Sequence, residues 1–109
     1  MILDFKNTEP TVIPNFKGGE KYISAKMNFD GKNRILHGSL VPGATIGLHT
    51  HETNSEIIYI LSGNGKVLYD GEELEISEGM VHYCPKGHTH SLINDSECDL
   101  VFFAVVPEQ

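Results

Sequence analysis

Turn signals recur at roughly ten-residue intervals along this chain, and that spacing points to an all-β fold. They are "FDGKN" around Asp30-Gly31, "VPGA" at Pro42-Gly43, "SGNGK" at Asn64-Gly65, "YDGEE" at Asp70-Gly71, "PKGH" from Pro85 to His88, and "INDSE" near Asn94. Asn-Gly and Asp-Gly pairs accept the positive φ angles that a tight hairpin turn requires. Between the turns lie short runs of β character, among them "KYISAKMNF", "NRILHGSLV", "ATIGLHT", "SEIIYILS" and "DLVFFAVVP". No segment sustains a helical period over twelve residues. The pattern predicts an antiparallel sandwich or barrel.

A chain of 109 residues suits one such barrel, placed at residues 21–109. Residues 1–20 are broken by Pro10, Pro14 and the Gly18-Gly19 pair. They read either as an arm that packs on the barrel or on a partner subunit, or as a mobile terminus. The formal net charge of −7 argues against nucleic acid and anionic membrane surfaces as partners. No apolar run approaches the ~20 residues of a membrane span. "MILDFKNTEP" lacks the pattern of a signal peptide, and two cysteines make no disulfide framework, so a cytoplasmic location is expected.

In "SEIIYILS", Glu56, Ile58 and Ile60 share one face of a strand, and Ile57, Tyr59 and Leu61 share the other. A strand with one face in water would alternate more cleanly. Something must cover the second face, and a second copy of the chain is the candidate, so a homodimer is expected.

The chemistry concentrates in two stretches. In "GATIGLHTHETNSEIIYILSG", His49 and His51 lie two apart and Glu56 follows a short turn. In an extended chain the two imidazoles point to one side, where they can meet one ion. Imidazole with carboxylate suits iron, manganese, nickel, cobalt, zinc or copper. Taken alone, the same residues also fit a polar loop with its histidines in solvent. The second stretch, "GMVHYCPKGHTHSLIN", brings His88, His90 and Asn94.

Together the two stretches resemble the paired motifs of the cupin superfamily. Gly43, His49, His51, Glu56 and Gly63 match the first motif, and Gly79, Pro85, Gly87, His90 and Asn94 match the second, all without a gap. The resemblance implies a double-stranded β-helix, or jelly-roll barrel. It also implies that His49, His51, Glu56 and His90 bind one divalent transition metal per chain (Fe, Mn, Ni, Zn or Co), with open positions for a ligand. The motif glycines, Pro85 and Asn94 read as turn and loop residues.

Other residues near the site have more than one reading. His88 is a rim residue of the barrel mouth or an acid–base group. His37 and His82 lie on strands, as wall or outer histidines or as cavity-facing acid–base candidates. Cys84 reads as a small buried apolar residue.

The resemblance does not choose a reaction. The expectation is a metalloenzyme acting on a small oxygen-rich metabolite, by isomerase- or lyase-type proton transfer or by iron-dependent oxygenation. The alternative is a non-catalytic module that binds or senses a small ligand. Arg34 is the single arginine, and only Lys26, Lys66 and Lys86 among the lysines lie on or beside predicted barrel strands. That thin supply leans towards neutral or singly charged ligands rather than dicarboxylates or phosphosugars.

Overall fold

Residues 1–109 are described by a computed structural model, in which the runs between turns form antiparallel strands. In chain order these are β1 (Thr11–Pro14), β2 (Tyr22–Phe29), β3 (Asn33–Leu40), β4 (Thr45–Thr50), β5 (Glu56–Ser62), β6 (Asn64–Tyr69), β7 (Glu72–Ser77), β8 (Val81–Cys84), β9 (Thr89–Ile93) and β10 (Leu100–Pro107). They make a six-stranded sheet, β1-β2-β3-β10-β5-β8, and a four-stranded sheet, β4-β9-β6-β7. The sheets face each other as the two halves of a jelly-roll barrel. The only helical elements are two short 3₁₀ turns, so no helix is long and apolar enough to cross a membrane.

The period of two decides which side chains enter the core. On β5, Glu56, Ile58 and Ile60 are buried while Ile57, Tyr59 and Leu61 face out. On β3, Leu36, Gly38 and Leu40 point in, and His37 points out. Phe102 on β10 is fully buried and lies opposite Gly38 in register. A Cβ on Gly38 would stand 2.5 Å from the Phe102 ring, so the glycine makes room for the aromatic at the centre of the core. Burying a ring of that size stabilises the fold by about 2–3 kcal/mol.

Asp70 and Gly71 both have positive φ and form the tight turn between β6 and β7 that their sequence predicts. "SGNGK" is a correction. Asn64 and Gly65 are already inside β6, and the reversal sits at Gly63, whose φ is +89°. Gly65 is needed for close approach, because a Cβ there would overlap the Ile93 carbonyl oxygen and crowd Leu100.

β1 was not legible in the prolines of the first twenty residues. It pairs with β2 from Thr11↔Ala25 to Pro14↔Tyr22 at the edge of the larger sheet, where a missing N–H is tolerated. The chain then turns through Asn15 and a 3₁₀ turn, Phe16–Gly18, that lies against β4. Glu20 and Thr45 exchange hydrogen bonds there: the Glu20 N–H donates to Thr45 Oγ1 at 2.8 Å, and the Thr45 N–H donates to the Glu20 carbonyl at 3.0 Å. Residues 11–20 therefore connect the edge of one sheet to the edge of the other.

Candidate metal centre

Four side chains converge from both sheets. β4 and β9 run antiparallel with a register shift between Ile46 and His49, after which His49 faces His90 across the ladder. His51 lies just past the end of β4. Its backbone is held by His51 N–H to the His88 carbonyl at 3.0 Å and by Gly87 N–H to the His51 carbonyl at 2.7 Å. Glu56 is the first residue of β5 and enters on the inward parity of Ile58 and Ile60. His51, Glu56 and His90 are buried, and His49 is half-buried.

The donor atoms of these four residues all lie within 4.8 Å of one another. His90 Nε2 is 2.8 Å from His51 Nε2, 3.1 Å from His49 Nε2 and 3.0 Å from Glu56 Oε1. Glu56 Oε1 is also 3.1 Å from His51 Nε2. The other ring nitrogens decide what these atoms offer. His49 Nδ1 donates to the Gly47 carbonyl at 2.7 Å, and His51 Nδ1 donates to Asn54 Oδ1 at 2.5 Å. A neutral imidazole has one N–H, so both Nε2 atoms present lone pairs to the cluster. Lone pairs and a carboxylate gathered this closely repel unless a proton or cation stands among them. Donor atoms bound at about 2.1 Å and at right angles around one ion are about 3.0 Å apart. The spacing and the donor chemistry both fit a divalent ion.

The electrostatics agree. Burial by itself would raise the Glu56 carboxyl, but its contacts with the His51 and His90 rings outweigh this and hold the group at about 2. Burial lowers His49, and the Gly47 carbonyl offsets this only in part. His51 is also disfavoured as a cation by burial, yet its contacts to Glu56 and Asn54 leave it above its ordinary value. Without a metal, the ionised Glu56 favours a proton on His51.

The remaining histidines separate clearly. His82 on β8 faces inward, is buried, and has Nε2 3.0 Å from His90 Nδ1. Burial pushes it down to about 4, so it is neutral at pH 7. His82, Cys84 and His90 also form a buried group with donor atoms within 4.8 Å of one another. Cys84 is fully buried, and burial raises its thiol to about 11. His88 is on the rim, with Nδ1 2.5 Å from Asp70 Oδ2 and 3.3 Å from the Tyr69 hydroxyl. His37 is on the outer face between Lys26 and Phe103. Asn94 donates to the Leu40 and Cys98 carbonyls and accepts from Ser96, tying its loop to β3.

A cavity of about 460 Å³ opens beside the cluster and reaches His49, His51 and Glu56. Its wall mixes apolar side chains, Phe16, Leu36 and Phe102 among them, with the polar Thr50, Glu52, Thr53 and Asn54. Two cations line it as well, Arg34 from β3 and Lys17 from the 3₁₀ turn. Arg34 is braced by Met27 Sδ at 3.3 Å and by the Phe29 ring at 4.5 Å. The other lysines counted near the strands are engaged elsewhere: Lys26 with the Phe5 carbonyl, Lys66 with Glu73 and Asp95, and Lys86 with the Gln109 carbonyl. Lys17 was missed from sequence because nothing local places the arm over the barrel mouth. His37, His82 and His88 do not line the cavity.

Comparison with known proteins bears on this geometry. A family model described as "Cupin domain" matches residues 36–106. A protein of Thermotoga maritima named oxalate-binding protein is 33% identical over 112 residues, covering 97% of this chain and 93% of that one. The quercetin 2,3-dioxygenase of Bacillus subtilis is 28% identical over 87 residues, covering 80% of this chain but 26% of the enzyme. A crystal structure from Thermotoga maritima, described as a predicted oxalate decarboxylase, superposes with a TM-score of 0.94 at 31% identity, with all of both chains covered.

Proposed function

Because the chain belongs to the cupin family, we propose that it binds a divalent metal through His49, His51, Glu56 and His90 and holds a small carboxylate, with oxalate the first to test, in the adjoining cavity. The observation that carries this reading is the composition of the cavity wall: His49, His51 and Glu56 of the donor cluster line it together with Arg34 and Lys17 as cations. A metal bound there supplies Lewis acidity and coordination positions for ligand oxygens. Arg34 offers a fork of N–H donors suited to a carboxylate, and its contacts to Met27 and Phe29 limit its motion. Apolar side chains in the wall reduce the water around a bound anion, which strengthens its attraction to both cations. Oxalate enters because the relative matching nearly the whole chain is named for binding it. The leaning towards neutral or singly charged ligands gives way here, since the one arginine and an unforeseen lysine both line the cavity.

Binding is favoured over proton-transfer catalysis by one further observation. None of the three histidines considered as acid–base groups lines the cavity. Names among the relatives, a dioxygenase and a predicted decarboxylase, support turnover as the second reading.

The test has two steps. Protein purified without chelator should carry roughly one divalent ion per chain, and His51→Ala with Glu56→Ala should remove most of it while the β spectrum persists. Equal metal in both proteins would refute the ligand assignment. Metal-loaded protein should then bind oxalate in calorimetry, with Arg34→Ala weakening it about 10- to 100-fold, the range of a charge-assisted hydrogen bond. Oxalate recovered unchanged after long incubation supports binding, and conversion to products supports the enzyme.

We also propose a homodimer formed through the outer face of the six-stranded sheet. Ile57, Tyr59, Val81, Tyr83 and Phe103 are neighbours in register there, and each is between 36% and 55% exposed.

A further inference from the structure

We propose that His82 is a positioning residue for the metal centre: it accepts the Nδ1–H of His90 and so turns the His90 Nε2 lone pair towards His49, His51 and Glu56. The assignment rests on the metal-binding reading above.

A histidine that ligates through Nε2 carries its proton on Nδ1, and that N–H needs an acceptor. His49 and His51 find theirs locally, at the Gly47 carbonyl two residues before and at the Asn54 side chain three residues after. His90 has no such neighbour. It sits inside β9, whose backbone is paired with β4 on one side and β6 on the other. It is 1% exposed, so bulk water does not serve either. The acceptor comes from the opposite sheet: His82 Nε2 at 3.0 Å, on β8. This requires His82 to be neutral with its own proton on Nδ1. The edge of the Tyr69 ring, 5.4 Å from the His82 ring and inclined at 75°, keeps the imidazole from swinging away. Tyr69 is the register partner of His90 on β6. Among the four cluster residues His82 hydrogen-bonds only His90, and it does not line the cavity. Its effect is exerted through His90 alone.

Cys84 lies close enough that His82, Cys84 and His90 could instead be ligands of a second ion. That arrangement would strip both protons from His90, and it predicts a different stoichiometry.

Two measurements decide. In zinc-loaded, ¹⁵N-labelled wild-type protein, nuclear magnetic resonance should place the proton on His90 Nδ1 and show ¹⁵N–¹⁵N coupling across the hydrogen bond to His82 Nε2. In competition with a chromophoric chelator, His82→Leu should weaken zinc binding about 10- to 100-fold with the fold retained, as loss of an outer hydrogen-bond partner does. His82→Gln, whose side-chain oxygen can accept, should stay within roughly threefold of wild type. A proton found on His82 Nε2, equal losses in both variants, a His82→Leu affinity equal to wild type, or two zinc ions per chain would each overturn the assignment. If His82→Leu does not fold, the wild-type coupling and the glutamine variant still decide. Wild-type protein that takes up no divalent ion overturns the metal centre itself and this assignment with it, a failure visible before any variant is made.

Discussion

Replacing Gly47 by alanine should loosen the arm that closes the cavity. A Cβ at Gly47 would overlap the Lys17 carbonyl oxygen and stand 2.7 Å from its carbon and 2.8 Å from the Gly19 nitrogen. Ordinary contact begins at 3.4 Å, so the carbon alone falls 0.7 Å short. The obstructing atoms are backbone, held by the Asn15 N–H to the Lys21 carbonyl at 2.7 Å and by the Glu20–Thr45 pair. They cannot yield as a flexible side chain would, so the 3₁₀ turn must lift from β4. Overpacking of this kind costs about 1–3 kcal/mol. For a domain of this size each kcal/mol lowers the melting temperature by roughly 4–8 °C. Urea denaturation with an unchanged slope would measure the loss, and Leu48→Ala, an exposed position next door, should stay within about 0.5 kcal/mol. Phe16 and Lys17 leave the cavity wall when the turn lifts, so oxalate affinity should fall more than metal affinity. A Gly47→Ala protein as stable as wild type would refute the close packing of this arm on β4.

Metal affinity should depend on pH in a definite direction. His51 lies above its ordinary value, so its proton, facing Glu56, stays bound at and somewhat above pH 6.5 and must leave when metal enters. Affinity should therefore rise with pH through that region and fall by about tenfold per unit below it for one displaced proton. Glu56, held at about 2, stays ionised throughout. A competition titration giving the same affinity at pH 5.5 and 8 would contradict a proton on His51. On the outer face, wild-type protein should be a dimer by light scattering at micromolar concentration, and Tyr59→Asp should convert it to monomer by burying an unpaired charge. A monomeric wild type would refute the interface.

Much of the architecture was legible because its causes are local. Nine of the ten strands follow from alternation between turns, and the Asp70-Gly71 hairpin follows from which residues accept positive φ. Asn64-Gly65 shows the limit. The pair has turn chemistry, but Gly63 reverses the chain and Gly65 is reserved for close contact with Ile93. β1 was hidden because Pro14 argues against a central strand and says nothing against an edge one.

The sequence by itself determined the spacing of His49, His51 and Glu56, the recurrence of His90 after a Pro-Gly turn, and the two-faced pattern of β5. These are properties of short segments, set by a period of two and by turn stereochemistry. Only the tertiary structure decided what surrounds the cluster: Arg34 and Lys17 lining the cavity, His37 and His88 outside it, and His82 behind His90. Those relations join residues from different sheets, and no local propensity specifies which inward-facing side chains meet once two twisted sheets close around a common core.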